Sequence, residues 1–115
     1  MPSKITNKTA NKLIASNVRI AKSLPQRMKG LLGKDSLPPD EGLLISPCSS
    51  IHTVGMRFPI DVIFYDRTMR ALAVVKGLKP YRITCWHPRA RGVIELPAGT
   101  LSRAPVEPGD ELVIE

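Results

Sequence analysis

Proline constrains this chain more than any other residue. Eleven prolines are spread along its 115 residues, and each fixes its own φ and removes a backbone N–H donor. A chain interrupted this often builds short strands and turns rather than long helices. The stretches between the breaks agree. PIDVIFYD alternates as a strand does, with Ile60, Val62 and Phe64 on one face and Asp61, Ile63 and Tyr65 on the other. Asp66-Arg67-Thr68 is a turn, and MRALAVVKG returns as the partner strand of a hairpin. GLLIS is another short apolar strand. GVIELP is one more, ending at the Pro97-Ala98-Gly99 turn. Glu111 to Ile114 is a last strand, launched by the Pro108-Gly109-Asp110 turn. Strands are also expected at Ser16 to Ala21 and, between two prolines, at Tyr81 to Cys85.

One segment has helical spacing. In SLPQRMKGLLG, Ser23 suits an N-cap, Pro25 the first turn and Gly33 the end. Leu24, Met28, Leu31 and Leu32 share one face, which predicts a short helix near residues 24–32. Residues 1–15 are rich in lysine and asparagine and read as a flexible lead-in. Residues 16–115 then form a single β-rich domain, long enough for one hydrophobic core without staples. Short strands at a spacing of about 8–12 residues, with Pro/Gly turns, indicate a mainly β, compact sandwich or barrel.

No run approaches the roughly 18 apolar residues that a membrane span needs. The basic N-terminus is not followed by an apolar core of signal-peptide type, so a cytoplasmic location is expected. Two cysteines, Cys48 and Cys85, are free thiols in such a compartment. The net charge of +7 is uneven. Residues 67–91 carry seven basic residues and no acid, and residues 1–34 carry eight and none. Such blocks suit a solvated basic surface or attraction to an anion. No aromatic-interleaved RNA motif accompanies them, so nucleic acid is an unlikely but open partner.

The polar residues with chemical potential cluster in PCSSIHTVGMRFPID, residues 47–61. Cys48 with His52 as base would make a nucleophile pair, or Cys48 is a small buried hydrophobe. Cys48, His52, Cys85 and His87 would make a zinc set, but their spacings do not match paired-knuckle patterns; no metal and no cofactor is expected. Asp61 lies between Ile60 and Val62 on a strand that looks buried, and a buried carboxylate needs a partner. Arg57 and His52 are the nearest candidates in sequence. Glu95, between Ile94 and Leu96, raises the same question, with Arg57, Arg89 or Arg91 as partners and Tyr81 and Trp86 to line a concavity.

GLLISPCSSIHTVGMRFPIDVIFYD, then VVKGLKPYR, ARGVIELPAGT and PGDEL, resembles the uncharacterised prokaryotic family known as domain of unknown function 192, from about Leu13 to Leu112. The resemblance rests on the run from Cys48 to Asp61 and on Glu95 to Gly99, and Arg27 to Gly33 is similar to the family's short helix. It implies a jelly-roll-like or barrel-like β-domain and no established activity. Many relatives look exported, whereas this chain shows no signal segment. The combined expectation is a non-enzymatic module that binds a small polar or anionic ligand, or a protein partner, in a polar pocket of Cys48, His52, Arg57, Asp61 and Glu95. A small hydrolase or transferase using Cys48 and His52, a metal-binding protein and a weak nucleic-acid binder remain as alternatives.

Overall fold

The computed structural model describes residues 3–21 and 35–115. Seven strands form one sheet: β1 (Ser3–Asn7), β2 (Lys12–Ala21), β3 (Glu41–Ile45), β4 (Ile60–Tyr65), β5 (Ala71–Leu78), β6 (Gly92–Pro97) and β7 (Leu112–Ile114). Their order across the sheet is β5-β4-β6-β3-β2-β1-β7. β2 and β3 run parallel and the other described pairings are antiparallel. The sheet curls until its ends meet. Arg70, just before β5, bridges Glu111, just before β7. The Ala71 N–H donates to the Asp110 carbonyl at 2.9 Å, and the Leu112 N–H to the Met69 carbonyl at 2.8 Å. This is the mainly β, barrel-like single domain that the spacing of short strands predicts.

Both faces of the central strands are covered, so β4 is buried along its whole length. Register sorts the side chains. Ile63 opposes Ile94, which opposes Leu44, while Phe64 opposes Val93, which opposes Ile45. Directly opposed residues share a face. The first row joins Ile5, Ile14, Val18 and Leu112, together with Leu101 and Ala104 of and beside α1 (Thr100–Arg103). We call this the helix face. The second row joins Ile60 and Val62, covered by Ile51, Met56 and Phe58 from the long β3–β4 connection. This is the loop face. Burying each of these large apolar side chains is worth about 1.5–3 kcal/mol.

The β4–β5 hairpin forms where the alternation places it. The Asp66 carboxylate organises its turn, accepting from the Thr68 N–H at 2.9 Å, the Thr68 hydroxyl at 2.7 Å and the Arg70 N–H at 3.1 Å. The Thr68 hydroxyl bond, aided by the two backbone bonds, holds the carboxyl below its ordinary range.

Two expectations need revision. Within the flexible lead-in expected over residues 1–15, residues 3–15 carry β1 and the start of β2 instead. Ile5, Asn7, Ile14 and Ala15 are buried there. Asn7 secures this hairpin by donating to the Pro105 carbonyl at 3.2 Å and to the Asp110 carboxylate at 2.9 Å. Tyr81 to Cys85 is not a ladder strand. Tyr81 adopts φ 60°, and the segment makes one bridge, Ile83 to His52. The short described helix is α1, which follows the Pro97-Ala98-Gly99 turn; the helix expected near 24–32 lies outside the described residues.

Gly92 opens β6 where the backbone passes Tyr65. A Cβ there would sit 2.5 Å from the Tyr65 hydroxyl oxygen and 2.6 Å from the Ile45 carbonyl oxygen. Because one of those neighbours is backbone, the strands would have to part. Gly92→Ala is expected to destabilise the fold by about 1–3 kcal/mol, read from its urea midpoint at unchanged m-value.

Candidate functional site

Asp61 is 1% exposed. Its partners are neither Arg57 nor His52. One carboxylate oxygen, Oδ1, accepts the Gly77 N–H at 2.8 Å. The other, Oδ2, accepts the Gly99 N–H at 3.1 Å and the Leu101 N–H at 2.8 Å. Two left-handed glycines make this geometry. Gly77, at φ 63°, sits in a bulge, where the step from Val75 to Leu78 on β5 spans only Val62 to Ile60 on β4. Gly99, at φ 95°, precedes α1, whose first N–H groups have no partner within the helix. Backbone donors thus compensate a buried charge without a cation.

Arg57 lies at the surface instead. Its guanidinium meets Asp35 at 3.2 Å, with the side chains 62% and 86% exposed, an ion pair of small energetic weight. Glu95 is fully buried and engaged in a polar contact. It opposes Val62 and Leu43, so it stands on the loop face, whereas Asp61 opposes Leu96 and stands on the helix face. The sheet separates the two carboxylates. The five residues therefore do not converge on one pocket. Cys48, His52 and Arg57 share the β3–β4 connection, Glu95 lies beneath the loop face and Asp61 is behind it.

The β3–β4 connection is firmly held. The Thr53 hydroxyl, fully buried, donates to the Lys79 carbonyl at 2.6 Å and accepts the Arg82 N–H at 2.9 Å. The Thr53 N–H donates to the Arg82 carbonyl at 2.8 Å, and the Thr84 N–H to the Ile51 carbonyl at 2.9 Å. The His87 N–H reaches the Ser49 carbonyl at 2.9 Å. These bonds zip residues 49–53 to residues 81–87 in an irregular ribbon. Ile51 and Thr53 point inward, and His52 is exposed beside Ile83. The His52 Nδ1 accepts the Val54 N–H at 3.3 Å. The Cys48 thiol, half-buried, donates to the Ser50 carbonyl at 3.1 Å, and Cys85 is an exposed free thiol.

At the base of the ribbon, Tyr65 lies against Ser46, Arg91 and Cys48. Burial pushes the Tyr65 phenol above its ordinary value, opposed by the Ser46 hydrogen bond and the Arg91 charge. On the loop face, the His87 ring packs on Phe64 with centroids 4.3 Å apart. Leu72, His87, Pro88 and Arg89 line a shallow depression of about 230 Å³. The sequence offers His87 as a zinc ligand and Arg89 as a partner for Glu95. Their shared depression had no signal in the spacing. Among the described residues no three His, Cys, Asp or Glu side chains gather as a metal site, and the Cys48, His52, Cys85 and His87 set is not assembled. No helix among them is long and apolar enough to cross a membrane.

Comparison with known proteins gives one consistent picture. Residues 5–114 match the sequence model of the family described as DUF192, Uncharacterized ACR. A UPF0127 protein of Pyrococcus horikoshii is 37% identical over 113 residues, covering 94% of this chain and 96% of that protein. A UPF0127 protein of Thermococcus sibiricus is 32% identical over 116 residues, covering 94% and 72%. Two crystal structures share the fold. A candidate transcription regulator of Sinorhizobium meliloti has a TM-score of 0.80 at 23% identity, over 96% of this chain and 90% of that one. A protein of unknown function from Novosphingobium aromaticivorans has a TM-score of 0.81 at 19% identity, over 98% and 84%.

Asp61→Asn replaces one accepting oxygen with an NH₂ that faces backbone donors. It is expected to cost about 2–4 kcal/mol by chemical denaturation despite its near-identical shape. Arg57→Ala is expected to stay within about 0.5 kcal/mol of the parent. A tyrosine whose pKa rises on folding keeps its proton after the unfolded chain has ionised. The stability it contributes is complete below about pH 10 and is lost as pH rises through the folded value. Urea midpoints taken between about pH 9.5 and 11 should therefore fall more steeply for the parent than for Tyr65→Phe.

Proposed function

From the premise that this chain belongs to the DUF192 family, we propose that it is a small binding module whose contact surface is the ribbon formed by the β3–β4 and β5–β6 connections. The observation that carries the reading is the zipping of these two connections around buried Thr53. Irregular segments that serve only as links need no such tie, whereas a binding surface gains from side chains held in place before the partner arrives. His52, Arg57 and Arg89 are exposed on these connections and supply donors for a polar or anionic ligand or partner. Asp61 acts as the anchor of the scaffold rather than as a contact, because three backbone donors already occupy its carboxylate. Cys48 and Glu95 support the connection from below.

The pairing of Cys48 with His52 as nucleophile and base has less in its favour. The thiol donates its proton to a carbonyl, a bond that a thiolate cannot make, and the His52 Nδ1 is used by a local backbone N–H.

A thermal-shift panel of inorganic phosphate, pyrophosphate and sulfated oligosaccharides tests the binding reading. A ligand at about 100 times its Kd adds roughly 2.7 kcal/mol, a shift of several degrees. Arg57→Ala and Arg89→Ala should reduce that shift without changing the ligand-free Tm by more than about a degree. A panel in which no anion raises Tm, or in which both variants respond as the parent does, would count against this surface.

A further inference from the structure

The outer side of the same ribbon carries an unusual amount of exposed apolar surface. Tyr81 is 66% exposed, Ile83 77% and Trp86 70%, all within six residues, and Val54 is 48% exposed on the adjoining segment. Solvent exposure of one such side chain is ordinary, but several together mark an interaction site. Several of the polar groups around them are already satisfied from within. The Trp86 Nε1–H donates to the Ser49 hydroxyl at 3.1 Å, so the indole can leave water without stranding its one donor. The Tyr81, Arg82 and Thr84 N–H groups and the Arg82 carbonyl are bonded to Thr53 and Ile51. Ile83 itself faces His52 in a bridge tied through the residues on either side, so its own N–H and carbonyl point outward and would keep water or headgroup partners at an interface, while the rest of the tie stays closed.

The charge along this stretch of sequence has one sign. Lys79, Arg82, Arg89 and Arg91 are exposed, and no acid occurs from residue 67 to residue 91. Aromatic and aliphatic side chains ringed by cations are the composition that seats a protein at the headgroup boundary of an anionic bilayer. Stacking of nucleic-acid bases fits less well, because Ile83, the most exposed of the group, has no π face to offer. A buried protein interface fits less well too, because the centres of such interfaces are depleted of charge.

We infer that the Tyr81–Trp86 segment is a peripheral membrane-docking tip, inserting Ile83 and Trp86 among the headgroups of an anionic lipid surface while Lys79, Arg82 and Arg89 hold the phosphates. This rests on the reading of the ribbon as a binding surface and names its partner. The tip lies on the surface and does not span.

Trp86 is the only tryptophan in the chain, so its fluorescence reports on this segment alone. Phosphatidylcholine vesicles containing about one-third phosphatidylserine should shift its emission to the blue and shield it from iodide, and the protein should sediment with them. Pure phosphatidylcholine vesicles, or 1 M salt, should weaken binding by about tenfold or more. Ile83→Asp, at an exposed position that leaves the core untouched, should weaken it by about tenfold, whereas Ile83→Leu should bind as the parent does. The inference falls if anionic vesicles neither shift Trp86 nor carry the protein down at low salt. It falls also if Ile83→Asp binds as well as the parent, since the attraction would then be charge alone. Salt-dependent quenching of Trp86 by single-stranded oligonucleotides, with no response to vesicles, would replace it with base stacking. A thermal shift by soluble anions that Arg57→Ala reduces, without vesicle binding, would leave the binding module standing and remove only the membrane.

Discussion

The buried carboxylate of Asp61 sets the terms for the rest of this fold. Its two oxygens collect three backbone N–H groups from the β5 bulge and from the turn into α1. An ionised group taken out of water is tolerated only where its surroundings answer it closely. Here the answer is written into backbone conformation. Gly77 and Gly99 must both adopt positive φ, the bulge must fall opposite Asp61, and α1 must begin where it does. One side chain therefore bears on the ends of three elements at once: β5, β6 and the start of α1.

The sheet built around that anchor carries two apolar layers, and this governs what a site can be. Asp61 serves the helix face and Glu95 the loop face, so a pocket using both would have to pass through β4 and β6. Exposed polar side chains such as His52, Arg57 and Arg89 lie outward, on the connections that flank the loop face. These are irregular yet not loose, because Thr53 gives both its N–H and its hydroxyl to the opposite segment. The barrel thus carries a braced rim of exposed side chains on a frame tied by backbone hydrogen bonds.

What the sequence disclosed depended on how local the signal was. The β4–β5 hairpin was legible because period-two alternation and the Asp66 turn lie within adjacent residues. β3, β6 and β7 were legible from short apolar runs between prolines and glycines. β1 was not, because its lysines and asparagines look solvated; Asn7 is buried only through partners near residue 110. Tyr81 to Cys85 has strand composition, but the positive φ at Tyr81 and its place on the rim leave it one bridge. The need of Asp61 for a partner was legible too, while the partner was sought among nearby side-chain charges. Backbone donors 16, 38 and 40 residues away give no sign of themselves in a sequence.

The pairing of β1 with β7 brings the ends of the chain together. The Lys4 N–H donates to the Glu115 carbonyl at 2.9 Å, and the Glu115 N–H to the Lys4 carbonyl at 3.0 Å. From Lys4 to Glu115 the polypeptide is in effect a loop closed by hydrogen bonds instead of a peptide bond. A short linker could join the two ends and new termini could be opened at an exposed turn, with the same barrel threaded in a different order. Opened at the Asp66–Arg70 turn, such a circular permutant would cut the one tight hairpin that reads directly from sequence, and its folding rate would report how far that hairpin leads assembly.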